Sequence, residues 1–260
     1  MNKSPDQFAY AINRVIQAAF GNAAYPLDMR DIVSEFAPKY APGVALNLSS
    51  GSLGSIEGAL IPSSSKKSYT ILINSDIRSR GRRNFTIAHE FGHFLCHRSL
   101  RDEFQCGPDQ VGGASTDDIE TQANRFASQL LLPNNMVRET ANRTDFCLEA
   151  VRELARQTGA SVTATALACV KMSSQPIGFV VVRDGFVRWG RSSEKAYAAG
   201  LFFKSGSMVP SDSASDFEGG DEDLTFESPT KVEGWSTSHA WKESGFYSAR
   251  YQEAYFLLTA

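Results

Sequence analysis

Asn84-Phe85-Thr86-Ile87-Ala88-His89-Glu90-Phe91-Gly92-His93-Phe94-Leu95-Cys96-His97-Arg98 is the run from which the rest of the chain can be read. Its apolar residues recur at helical spacing, and a helix is predicted over 84–98. Within it His89-Glu90-Phe91-Gly92-His93 spells H-E-x-x-H. Residues four apart on a helix are offset by about 40° and rise about 6 Å, so both imidazoles leave one face and can converge on one ion. Two neutral imidazoles suit zinc. Glu90, beside His89, is free to address water instead of the ion, and zinc lowers the pKa of water so that Glu90 can take its proton. The bland alternative is a helix that carries two core or surface histidines and a solvated glutamate.

A catalytic zinc takes three protein ligands and keeps one position open. His97 continues the series but lies eight residues from His89, about 12 Å along the axis, too far to share one tetrahedral ion. It reads as a packed histidine or one supporting the site from behind. The glycine turn and later histidine of a metzincin are missing, and His239 has no assignment. A carboxylate is left. Residues 117–132 form a second predicted helix that Pro133 closes. Glu120 shares the side of Ala123 and Ala127 there, and a carboxylate on a buried face is costly unless paired or metal-bound. Asp117 and Asp118 suit the helix's positive N-terminal end. Asp102, Glu103 and Asp109 fall in a predicted loop over 99–116.

Upstream, 5–20 reads as an amphipathic helix and 28–37 as another, with Asp28 as its cap and Pro38 and Pro42 as its stop. Val44–Leu48, Ile56–Ile61 and Tyr69–Asn74 read as strands of a small sheet. Arg78, Arg80, Arg82 and Arg83 make a basic run before the first motif, either a solvated loop or a contact for acidic substrate residues or DNA phosphates. Two more helices are predicted within 134–172. Residues 154–172 look like helix–turn–helix around Gly159, but Val162–Val170 offers mainly Thr, Ala, Leu and Cys, which suits packing or substrate docking better than base reading. After Gln175 come a hairpin turning at Asp184-Gly185, an acidic loop over Asp212–Asp223 and aromatic β-structure over Ala240–Leu258. The organisation expected is 1–172 as one domain and 173–260 as a smaller β-rich region without an assigned role.

Composition narrows the classes. The chain has 260 residues, 42% hydrophobic and 21% charged, which is ordinary for globular proteins. A net charge of −3 speaks against direct nucleic-acid binding as the function of the whole chain. No apolar run reaches the length of a spanning helix, and the N-terminus lacks a signal peptide's apolar middle. Cys96, Cys106, Cys147 and Cys169 form no CxxC pair, which argues against a cysteine zinc site or a disulfide scaffold and for reduced thiols in the cytoplasm.

The run FTIAHEFGHFLCH followed by ETQANRFASQLLLP resembles the ImmA/IrrE family of metallopeptidases over roughly residues 25–172. The resemblance implies an α+β, zincin-like fold, in which a small twisted sheet packs on the motif helices and is followed by a helical extension and a smaller β-rich C-terminal region. It implies zinc held by His89, His93 and Glu120 in a gluzincin-like set, with Glu90 as general base. It implies an endopeptidase whose substrate is a helix-turn-helix repressor, cleaved so as to derepress stress or mobile-element genes. An extended substrate would pair with the strand nearest the site. The alternative from another class is a non-catalytic zinc-containing module that binds and sequesters a repressor; retention of Glu90 argues against it, since a structural site has no use for a base.

Overall fold

A computed structural model describes residues 4–99, 104–106, 118–210, 224–228, 231–236 and 239–260. The acidic stretch 212–223, most of the loop 99–116 and Asp117 lie outside them. Two compact units emerge: Met1–Pro133 with Arg156–Ser161, and Asn134–Ala155 with Val162–Ala260.

In the first unit, α1 (Pro5–Phe20) begins with a reciprocal cap, in which Gln7 N–H donates to Ser4 Oγ and Ser4 N–H to Gln7 Oε1. Asp28 caps α2 (Met29–Tyr40), accepting from Arg30 N–H at 2.8 Å. The helix does not stop at Pro38 as expected. A proline in the last turn forfeits a single backbone bond, and Ala41 N–H still closes the helix on Ala37 O at 2.9 Å. Strands β1 (Ala45–Gly51), β2 (Gly58–Pro62), β3 (Ser68–Asn74) and β4 (Phe104–Cys106) form a mixed sheet in the order β1-β3-β2-β4. β1 runs parallel to β3, with Leu48 opposite Ile71; β2 is antiparallel to both β3 and β4.

Two helices carry the motifs. α3 (Arg80–Cys96) starts four residues before the predicted 84, because Ser79 Oγ accepts from Arg82 N–H at 3.3 Å. Arg80, Arg82 and Arg83 are therefore in its first turn and not in a loop. α4 (Asp118–Leu131) follows. Leu60, Ile71, Phe91, Phe94, Phe126 and Leu130 are fully buried and form the core between this sheet and the two helices. α4 packs closely on α3 at Gly92: a Cβ there would stand 3.0 Å from Phe126 Cδ1.

The second unit holds α5 (Asn134–Ala141), α7 (Val162–Met172), most of α6 (Leu148–Thr158), α8 (Glu194–Ala198) and an antiparallel sheet. Its strands are β5 (Ile177–Arg183), β6 (Phe186–Ser192), β7 (Leu224–Glu227), β8 (Lys242–Ser248) and β9 (Glu253–Thr259), in the order β6-β5-β9-β8-β7. The β5–β6 turn is at Asp184 (φ 53°) and Gly185 (φ 74°), where both residues take the left-handed conformation such a turn demands. Trp241, Tyr247 and Phe256 anchor the core. Three helices, not two, occupy 134–172; the eight-residue α5 is too short for its period to stand out. The division also differs from the boundary expected at 172. α5 packs on α7 and α7 on β5, so most of the helical extension groups with the second sheet. Among the described residues no helix is long and apolar enough to cross a membrane.

Candidate metal centre

α3 turns His89 and His93 inward from consecutive turns, and α4 brings Glu120 to meet them from its first turn. His89 Nε2 and His93 Nε2 are 3.0 Å apart, and Glu120 Oε2 lies 3.2 Å from the first and 3.3 Å from the second. His89, Glu90 and His93 are 0% exposed and Glu120 is 3% exposed. Among the described residues these two histidines and Glu120 make the one cluster of three side chains able to share a metal ion.

The triangle fits such an ion. Donors about 2.0–2.1 Å from a tetrahedral metal are about 3.3–3.4 Å apart, close to the observed edges. The electrostatics agree. Burial lowers the His93 pKa to about 4, which keeps that imidazole neutral. Burial alone would raise the Glu120 carboxyl, but the imidazoles of His89 and His93 beside it outweigh that and hold the group well below the usual carboxylate range. Neutral His93 and ionised Glu120 are the protonation states in which those side chains ligate a divalent cation.

The far sides of the imidazoles are also engaged. His89 Nδ1 lies 3.0 Å from Asn124 Oδ1, which accepts its proton when Nε2 is the ligating nitrogen. His93 Nδ1 lies 3.1 Å from His97 Nδ1, and His97 Nε2 lies 3.3 Å from Gln122 Oε1. His97 is thus buried behind His93 and outside the cluster, where its supporting reading put it. Burial lowers its pKa as well. Asn124 and Gln122 were not singled out from sequence. Asn124 could have been, because it sits four residues after Glu120 on the same helical face.

Glu90 is enclosed by β2. A Cβ on Gly58 would stand 3.1 Å from Glu90 Oε1 and 2.5 Å from Thr86 Cγ2, so only glycine lets the strand pass this closely. Of the rival carboxylates, Asp118 is exposed, and Asp102, Glu103, Asp109 and Asp117 lie outside the described residues. His239 is exposed in the second unit and belongs to no metal cluster among the described residues. In the basic run, Arg82 Nε donates to Glu57 Oε2 at 2.6 Å. Arg78, Arg80 and Arg83 line a cavity of about 280 Å³ together with Arg30, Ser49 and Ser50.

Residues 43–169, which contain the whole cluster, match the IrrE N-terminal-like domain family. The radiation response metalloprotease IrrE of Deinococcus deserti is 30% identical over 135 residues, covering 50% of this chain and 44% of the relative. The protein of the same name from Deinococcus radiodurans is 31% identical over 185 residues, covering 70% of this chain and 52% of the relative. The metallopeptidase ImmA of Bacillus subtilis is 33% identical over 87 residues, covering 34% of this chain and 48% of the relative. The chain spans about half the length of the curated relatives it matches.

Proposed function

The chain belongs to the ImmA/IrrE family through residues 43–169, and from that premise we propose that it is a zinc-dependent endopeptidase acting on one protein substrate, a helix-turn-helix transcriptional repressor. The observation that carries the reading is the buried triangle of His89 Nε2, His93 Nε2 and Glu120 Oε2, with edges of 3.0, 3.2 and 3.3 Å. These three residues hold the metal in a gluzincin-like set on a zincin-like fold. When bound, zinc supplies Lewis acidity for a peptide carbonyl and for water.

Glu90 is the general base. It takes the proton of the attacking water and passes it to the nitrogen of the leaving amine as the C–N bond breaks. Burial beside His89 and against β2 keeps this carboxylate away from bulk solvent, where proton transfer to solvent would compete. The substrate presents the bond in an exposed loop or linker, since a strand edge accepts only an extended segment. The basic cavity of Arg78, Arg80 and Arg83 is one surface that reads the surrounding acidic residues. The reaction takes place in the cytoplasm, beside transcription, and relieves repression of stress or mobile-element genes.

The test is direct. The protein, loaded with zinc, is incubated with a helix-turn-helix repressor from the same genome, and the repressor is followed on a gel. One discrete pair of fragments that vanishes with a chelator supports the reading. Tight binding without fragments would replace it with sequestration by a non-catalytic zinc module.

A further inference from the structure

We infer that His97, Gln122 and Asp118 are positioning residues, a hydrogen-bonded relay that fixes His93 in the tautomer able to ligate through Nε2. The inference rests on the metal-centre reading above and concerns how that centre is held ready.

The polarity of the relay follows from its outer end. Asp118 is an exposed carboxylate on the first turn of α4, and a carboxylate only accepts. It accepts from Gln122 Nε2, four residues on. The amide that turns its nitrogen to Asp118 must turn its oxygen the other way, and Gln122 Oε1 faces His97 Nε2 at 3.3 Å. An amide oxygen has no proton to give, so His97 Nε2 carries the hydrogen. In a neutral imidazole the other nitrogen is then bare. His97 Nδ1 is therefore an acceptor, and the atom 3.1 Å away is His93 Nδ1, which must carry a proton. That leaves the lone pair of His93 on Nε2, toward His89 Nε2 and Glu120 Oε2. Each link leaves the next one a single choice.

The arrangement also accounts for a buried polar side chain that ligation leaves unused. His97 is only 2% exposed, too far along α3 to join the ion, yet it sits against a ligand and not against solvent. Helix geometry makes this possible. His93 and His97 are one turn apart on the same face, and Asp118 and Gln122 repeat the spacing on α4. Reversing the relay would have His97 Nδ1–H donate to His93 Nδ1 and would move the His93 proton to Nε2, taking away the lone pair that faces His89 and Glu120.

Two measurements on the full chain decide it. The first is the tautomer of His97 in the metal-free protein, read from long-range ¹H–¹⁵N correlations of its ring. The relay requires Nε2–H; the Nδ1–H tautomer overturns it. The second is zinc affinity, by competition with a chromophoric chelator, for the parent and Gln122→Met, which keeps the length of the side chain and removes the acceptor. Affinity should fall about tenfold or more, the usual effect of losing a partner behind a ligand, with the metal-free protein still folded and at most modestly less stable. Parental affinity in Gln122→Met overturns the relay. If that variant fails to fold, the tautomer still decides. A parent chain that binds no zinc would refute the metal-centre reading instead, while the His97 tautomer still tests the relay by itself.

Discussion

Gly92 lies flat against Phe126. A Cβ at position 92 would be 3.0 Å from Phe126 Cδ1 and 3.3 Å from its Cβ. The contact lies on the same two helices as His89, His93 and Glu120: Gly92 precedes His93 in the chain, and Phe126 is six residues after Glu120. The His89–His93–Glu120 triangle is therefore formed by two helices that pack against each other through a residue without a side chain.

Gly92→Ala therefore has a sign that separates two effects. In an ordinary helix interior, glycine to alanine stabilises by about 1 kcal/mol. Here the added methyl forces α4 outward, and a net loss of about 1–3 kcal/mol is expected from overpacking. Thermal unfolding of the metal-free protein reads the sign, and zinc competition should show weaker binding in the same variant. A stabilised variant with parental zinc affinity would mean that helix approach does not govern the site.

Glu120→Ala removes one of the three proposed ligands, and the charged one. Zinc binding should fall far below that of the parent, as metal analysis after gel filtration will show, while the helical circular dichroism signal persists. The substitution leaves two buried imidazoles facing each other at 3.0 Å without their carboxylate, so the metal-free variant should not exceed the parent in stability by more than the lost desolvation of one carboxylate. Full zinc occupancy in Glu120→Ala would remove it from the ligand set.

Gly58→Ala tests the wall behind the base. Its methyl would collide with Thr86 Cγ2 at 2.5 Å and press on Glu90 Oε1 at 3.1 Å. Thr86 is 0% exposed and has nowhere to withdraw. A loss of about 1–3 kcal/mol in stability is expected. At a temperature where the variant remains folded, cleavage should slow while zinc affinity stays near parental, because the histidines are not the groups displaced. Unchanged cleavage would show that Glu90 does not depend on its contact with β2.

Much of this architecture was legible because it is written in local pattern. The His89–Glu90–His93 spacing, the Ala123–Ala127 stripe that carries Glu120 inward, the Asp28 cap and the Asp184-Gly185 turn each announce themselves within a few residues. What was missed is non-local or very short. β4 has three residues and exists through pairing with Gly58, Ala59 and Leu60, which no window around Phe104 can show. That β2 pairs on both sides while β1 lies beyond β3 depends on the path of the chain, not on the strands' composition. Local propensity makes Pro38 a helix stop, whereas its place in the last turn makes it tolerable. Gln122 looks like any polar helix residue until His97 is found beside it.

Recognition can be examined separately from chemistry. If the surroundings of the bond position the substrate, an intact repressor should be cut with a much higher kcat/KM than a short peptide spanning the same bond, because remote contacts lower the barrier only when present. Comparable rates on the peptide, or indiscriminate digestion of casein, would indicate a general peptidase.

The most direct measurement is the rate of repressor cleavage by Glu90→Gln, with zinc content determined on the same sample. Glutamine is nearly isosteric and leaves His89, His93 and Glu120 in place, so zinc occupancy should equal that of the parent. It cannot accept the proton of the attacking water, so cleavage should fall by about 10²–10⁴-fold or more. Cleavage at the parental rate by zinc-loaded Glu90→Gln would contradict the account.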